Sequence, residues 1–252
     1  MATHLKIVVV PTYNECANIR PLVEAVMSQP GDFHMIVVDD ASPDGTGAIA
    51  DELCELHPRL SVIHRTGDRG LGLSYVDGIK AALARGGDFV LQMDADFSHD
   101  PKSLPALAEK GADYDLAIGS RYCAGGQIEG WARHRRMLSR CANFYVRAIT
   151  GMKTSDNTGA FRCWRAEALA RIEFENIISD GYAFLVETAY VAHRLGFRIG
   201  EVPITFVERR EGQSKLSKRV LVESVFMPWR LVLFKSGIGH GDERGCGSRA
   251  DV

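Results

Sequence analysis

Through the first half of the chain, short apolar runs rich in Val and Ile alternate with segments whose apolar residues recur at helical spacing. Unbroken apolar runs are the mark of strands buried on both faces, with helices as crossovers, so the pattern predicts βαβ units around a mostly parallel sheet. The predicted strands are residues 6–10, 35–39, 60–64, 88–93 and 115–119, and the predicted helices 18–28, 46–56, 73–85 and 102–110. Several helices open on Asn, Ser, Asp or Pro, as helix starts require.

Past residue 121 the rhythm changes: a Gly125-Gly126 turn, a basic helical stretch over 131–150, a strand near 159–164, a helix over 182–195 and a strand over 199–207. An amphipathic segment at 216–235 follows, and residues 236–252 are Gly, Ser and charge with almost nothing to bury, an expected disordered tail. With 252 residues, 46% hydrophobic and 25% charged, the chain can build a real core, which excludes fibrous and wholly disordered classes. No stretch reaches the ~20 apolar residues of a spanning helix. The first residues run into a strand without the apolar region of a signal peptide, so secretion is not expected. Cys16, Cys54, Cys123, Cys141, Cys163 and Cys246 form no C-x-x-C pair, so reduced thiols are expected rather than a zinc knuckle or a redox motif.

The net charge of −2 hides an asymmetry: residues 1–120 carry 9 Lys/Arg against 18 Asp/Glu, residues 121–252 carry 21 against 14. That division suggests a site wanting a cation beside a site wanting an anion. Ligands of open α/β sheets bind beyond the carboxyl ends of the strands. Three such ends stand out: Pro11-Thr12-Tyr13-Asn14-Glu15, Asp39-Asp40-Ala41-Ser42-Pro43-Asp44-Gly45 and Asp94-Ala95-Asp96. The G-x-G-x-x-G of a dinucleotide fold is absent after the first strand. Asp94 and Asp96, after a buried strand and joined by Asp40 at a neighbouring one, suit a hydrated Mg²⁺ or Mn²⁺ held by one or two carboxylates and a diphosphate.

In order along residues 5–235 stand P-T-Y-N-E, V-V-D-D-x-S-P-D-G-T, M-D-A-D-F-S-H-D-P, G-S-R-Y, S-D-N-T-G-A-F-R and E-V-P-I-T-F-x-E-R-x-x-G-x-S-K-L. This series resembles the dolichol-phosphate (polyprenol-phosphate) mannose synthases of the family-2 glycosyltransferases. The resemblance implies a GT-A fold, a Rossmann-like, mostly parallel sheet with a mixed second half and no transmembrane helix. It also implies transfer of mannose from GDP-mannose to a polyprenyl phosphate, with inversion. One catalytic domain over 1–235 is expected, with nucleotide and metal in 1–120 and the acceptor in 121–235.

By the same resemblance, Pro11, Tyr13, Glu15, Val38 and Asp40 hold the guanosine, while Asp94, Ala95 and Asp96 face the diphosphate. The metal sits on Asp96 with Asp94 close by and Ser98, where some relatives have Gln, as a further ligand. Arg121, Arg135, Arg209 and Lys215 bind phosphate oxygens. His99 is read as a turn or supporting residue and Cys123 as structural. Asp156 lies where hydroxyl-directed relatives keep a base; here it is read as orienting Arg135 or another basic group, or as capping a turn.

A phosphate monoester with a second pKa near ~6 is already anionic at pH 7. It needs cations beside it rather than a base, and bidentate Arg suits that task. The stretches 131–150 and 216–235 interleave Arg and Lys with large apolar residues, an interfacial profile. The expected partners are therefore a peripheral membrane surface on the cytoplasmic side or a membrane-anchoring protein, and no nucleic acid. Rival readings are another sugar nucleotide such as UDP-glucose, a hydroxyl acceptor, or a non-catalytic binding subunit.

Overall fold

The structure is a computed structural model that describes residues 4–179, 181–208 and 218–234. In chain order its elements are β1 (Lys6–Thr12), α1 (Cys16–Met27), β2 (Phe33–Asp39), α2 (Thr46–Leu56), β3 (Leu60–His64), α3 (Leu71–Ala84), β4 (Phe89–Gln92), α4 (Leu104–Asp113) and β5 (Leu116–Ser120). The second half adds β6 (Gln127–Glu129), α5 (Arg133–Thr150), β7 (Arg162–Arg165), α6 (Ala166–Leu169), α7 (Gly181–Arg194), β8 (Ile199–Pro203), β9 (Thr205–Val207) and α8 (Lys218–Phe234).

Seven strands share one sheet in the order β3-β2-β1-β4-β7-β5-β8, and β6 with β9 forms a separate ribbon. All neighbours in the large sheet run parallel except β7, which lies antiparallel between β4 and β5. The expected mostly parallel α/β architecture is therefore present, with strands of both halves in one sheet. Alternation along β1 explains its two-sided burial: Val8 and Val10 join Ile19, Leu22 and Leu53 in one core, while Ile7 and Val9 join Ile36, Val38, Tyr75 and Phe184 in the other. Helix α3 lies close on the sheet because Gly78 has no side chain; a Cβ there would stand 2.3 Å from Val9 Cγ1 and 2.9 Å from Val38 Cγ2.

The first strand continues two residues past Val10, because Pro11 and Thr12 still pair with Val38 and Asp39. The expected strand over 199–207 is two strands. Pro203 has no N–H for a ladder, so β8 ends there and β9 crosses to β6. Trp131 precedes its helix instead of lying on it, and its carbonyl accepts from Arg136 Nε at 3.1 Å. The predicted phosphate ligands Arg209 and Lys215 and the tail from residue 236 lie outside the described residues.

Candidate active site

Three loops leave the carboxyl ends of β1, β2 and β4, and each contains one non-glycine residue at positive φ: Asn14 (φ 60), Ala41 (φ 54) and Phe97 (φ 58). Such backbone costs of order 1–3 kcal/mol per residue and persists where surrounding contacts fix it. The fixing contacts are visible. Asn14 N–H donates to Ser42 Oγ at 3.1 Å, Glu15 N–H to Thr46 Oγ1 at 2.9 Å and Cys16 N–H to Asp44 Oδ2 at 3.0 Å, which stitches the first loop to the second. Burial pushes the Asp44 carboxyl up, but hydrogen bonds from Thr46 and the Cys16 amide outweigh it and bring the carboxyl to about 2, so it stays charged.

Asp40 emerges buried from β2, with Arg65 Nη1 on Oδ1 and the Gly70 amide on Oδ2 at 2.9 Å. Arg65 also reaches Asp77 at 2.7 Å, so this cation is shared between two acids. Asp94 Oδ1 accepts from the buried Tyr75 hydroxyl at 3.0 Å, and Asp96 Oδ1 accepts from the Ser98 amide at 3.0 Å. Behind them His99 is buried, stacked on Phe161 at 5.0 Å, with Nδ1 accepting the Asp94 N–H at 3.2 Å. Burial holds the imidazole below its usual pKa, more than the nearby Asp94 and Asp96 raise it, so His99 is neutral and carries its proton on Nε2.

Among the described residues no group of three or more His, Cys, Asp and Glu side chains forms a ready-made metal cage. The fit is to a hard divalent cation of the sparing kind, held by one or two carboxylates, waters and substrate phosphates. Asp96 and Asp94 are the donors suited to it. Ser98 is buried and contributes its amide to Asp96.

Across His99 lies the basic side. Arg121 is only 8% exposed, and its guanidinium is bidentate on Asp156, Nε at 2.6 Å and Nη2 at 2.7 Å, with Nη2 also 2.8 Å from Thr158 Oγ1. The Arg121 amide adds a third bond to Asp156 at 3.1 Å. Burial alone would raise the Asp156 carboxyl, but Arg121 overrides it and holds the pKa below the usual carboxylate range. Rings of Tyr122, Trp131 and Phe206 surround the Arg121 guanidinium at 5.2–5.6 Å.

Arg121 opens on a cavity of about 310 Å³ that Arg136, Arg140, Gly126, Gln127 and Ile128 also line. Gly126 is required at its wall, since a Cβ there would stand 2.6 Å from the Ser120 carbonyl oxygen. Arg135 donates to Glu208 at 2.7 Å and lies 4.0 Å over the Trp131 ring. Two buried donors near these arginines, Tyr122 Oη and Trp131 Nε1, have no hydrogen-bond acceptor among the described residues.

The family sequence model described as glycosyl transferase family 2 matches residues 7–173, a span that holds all three carboxylate loops and Arg121 with Asp156. The chain belongs to glycosyl transferase family 2. Within family 2 it is 43% identical over 226 residues to the polyprenol monophosphomannose synthase of Mycolicibacterium smegmatis, covering 89% of this chain and 85% of that protein. It is 42% identical over 217 residues to the undecaprenyl-phosphate mannosyltransferase of Micrococcus luteus, covering 86% and 89% respectively. Its fold matches that of glucosyl-3-phosphoglycerate synthase from Mycobacterium tuberculosis, solved with Mn²⁺, UDP-glucose and phosphoglyceric acid, at TM-score 0.64 and 19% identity over 94% of this chain and 82% of that one.

The family 2 motifs place their side chains differently, some in the core and some at the surface of the loops. Val38 is fully buried against Tyr75 and Ile79, and Pro11 and Ala95 are buried as well. They shape strand ends instead of presenting side chains. Tyr13 and Glu15 stand half-buried on the first loop, and the Tyr13 hydroxyl accepts from Arg69 at 2.7 Å. Sequence reasoning missed Tyr75, Arg65, Arg136, Arg140, Arg162 and Glu201. Arg162 and Glu201 stand in the motifs S-D-N-T-G-A-F-R and E-V-P-I-T-F, and Arg136 and Arg140 fall in the basic stretch 131–150, whose pattern marks only an interfacial helix. Nothing in the local sequence signalled Tyr75 or Arg65.

Proposed function

We propose that this chain transfers mannose from GDP-mannose to the phosphate of a polyprenyl phosphate, with inversion and with Mg²⁺ or Mn²⁺ as cofactor. The observation that carries the reading is Arg121 fixed by Asp156 at a cavity shared with Arg136 and Arg140. Such a cluster suits a doubly charged phosphate oxygen set. Asp156 is a poor general base there: Arg121 and Thr158 occupy its oxygens and its pKa is depressed. An alcohol acceptor would need that base, whereas a phosphate monoester arrives ionised. The two mannosyltransferase relatives support the same acceptor class.

In this reading Asp96 and Asp94 hold the cation, which offsets charge on the departing diphosphate. The Asp40 and Tyr13 loops take the nucleoside. Arg121, Arg136 and Arg140 set the acceptor oxygen beside the donor sugar and counter the repulsion between two anionic substrates. Arg209 and Lys215 are proposed to add cations to the same phosphates. We expect labelled mannose to pass from GDP-mannose to farnesyl phosphate, to stop on chelation of divalent metal, and to resume with Mg²⁺ or Mn²⁺. Equal transfer from UDP-glucose would overturn the donor assignment.

No helix among the described residues is long and apolar enough to cross a membrane. A lipid acceptor therefore calls for a surface, and α5 with α8 offers one. Val146, Tyr190, Met227 and Leu231 pack inward, whereas Met137, Leu138, Phe144, Phe226, Trp229 and Leu233 are 52–72% exposed. The helices are tied by Tyr145 Oη donating to the Val225 carbonyl at 2.7 Å and Trp229 Nε1 donating to Tyr145 Oη at 3.0 Å. With the arginines of α5 beside it, this face suits the cytoplasmic surface of an anionic bilayer. Vesicles containing anionic lipid should co-sediment the protein, and Phe226→Glu with Trp229→Glu should release it. Unchanged sedimentation of that double variant would remove α8 from the proposal.

A further inference from the structure

Arg162 stands in β7, an inner strand of the large sheet between β4 and β5, and is completely buried. No carboxylate of the described residues lies within salt-bridge distance of it. A buried cation without a paired acid is costly. Burial brings its pKa to about 10 although the nearby Asp156 and Tyr75 pull it up, so it remains charged at neutral pH. Its donors go instead to neutral acceptors: Nε to the Gly159 carbonyl at 2.9 Å, Nη2 to the Asn157 carbonyl at 3.0 Å and Nη1 to Thr188 Oγ1 at 3.0 Å.

Two of those acceptors belong to the loop that carries Asp156. The amide side of the same loop is held by an opposite charge, since Glu201 accepts from Ser155 N–H at 2.9 Å and from Asp156 N–H at 3.2 Å. Cation on carbonyls and anion on amides grip the loop from both ends of its peptide dipoles. Asn143 of α5 ties in the third partner: its Oδ1 accepts the Asn157 amide at 2.7 Å and its Nδ2 donates to Thr158 Oγ1 at 3.2 Å. One loop therefore fixes Arg121 through Asp156 and the helix carrying Arg136 and Arg140 through Asn143. Arg162 itself does not line the cavity.

We infer that Arg162 is a positioning residue for the acceptor phosphate, holding the 154–159 loop so that Asp156 aims Arg121 and Asn143 sets α5 against it. The inference rests on the phosphate acceptor proposed above. It requires a loss confined to the acceptor side, because the Asp40, Asp94 and Asp96 loops are held by other contacts. Displacing one charge-assisted bond to phosphate is worth about tenfold or more in affinity.

The test is steady-state kinetics with GDP-mannose and farnesyl phosphate on Arg162→Lys, Arg162→Met and Thr188→Val, with thermal melts alongside. Lys keeps the charge but cannot reach three acceptors, and Thr188→Val removes one acceptor from outside the loop. Acceptor KM is expected to rise about tenfold in Arg162→Lys, further in Arg162→Met and about threefold in Thr188→Val, at constant donor KM. A folded Arg162→Lys with wild-type acceptor KM, or with both KM values raised alike, would overturn the inference. If the Arg162 variants do not fold, Thr188→Val decides by the same split. Wild-type protein that neither binds nor glycosylates farnesyl phosphate would instead remove the acceptor reading beneath it.

Discussion

Asp96→Ala is expected to lower turnover by about a thousandfold or more while the protein stays folded. Metal stabilisation of a departing diphosphate is worth several kcal/mol, and each ~1.4 kcal/mol is a decade in rate. Only Asp94 is then left to the cation in that loop: Ser98 and His99 are buried, the first capping Asp96 and the second neutral, with Nδ1 on a backbone amide. Folding should suffer little, because the bond that the Asp96 side chain accepts from the Ser98 amide is worth about 1 kcal/mol. Turnover with Mn²⁺ and calorimetric binding of Mn²⁺ with GDP should fall together. Metal-dependent turnover near the wild-type rate would take Asp96 out of the metal site.

Asp156→Ala is the second large effect, and it falls on stability and acceptor binding together. Removing the acid leaves Arg121 buried and charged without its partner, a change that costs roughly 3–5 kcal/mol. Asp156→Asn keeps the shape and one acceptor oxygen, so it should fold better, bind farnesyl phosphate weakly and retain single-turnover chemistry at saturating acceptor. The pH dependence follows from the direction of the shift. Asp156 titrates lower folded than unfolded, so its contribution is in full force above the unfolded value of about 4 and is lost as pH falls through the folded one. The melting-temperature gap between wild type and Asp156→Asn should be widest near neutrality and close in acid. Complete loss of single-turnover chemistry in Asp156→Asn with both substrates bound would make Asp156 a general base and contradict the base-free reading.

The first half of the fold was legible because parallel strands covered on both faces read as plain apolar runs, and the acidic motifs sit where those runs stop. Placement of β7 was not legible. Its insertion between β4 and β5 depends on pairing with strands about 70 and 45 residues earlier, and no local pattern encodes that order. The carboxylates were visible as letters at strand ends, but their partners come from elsewhere in the chain, Arg65 for Asp40 and Tyr75 for Asp94. Arg121 was read as a phosphate ligand standing by itself. The structure shows it oriented by Asp156, the acid that the sequence assigns to Arg135 or another basic group; Arg135 itself pairs with Glu208. Val38 shows another limit: the motif marks it for the nucleoside, yet its side chain lies in the core, a burial that the motif letters alone do not distinguish.

In the proposed reaction the acceptor brings its own negative charge and the arginine cavity, with no protein base, receives it. Side-by-side transfer from labelled GDP-mannose to farnesyl phosphate and to farnesol at pH 7 tests it most directly. Product from farnesyl phosphate alone, at a rate that rises with ionisation of the phosphate around pH ~6, is the expected result. Comparable transfer to farnesol would contradict it.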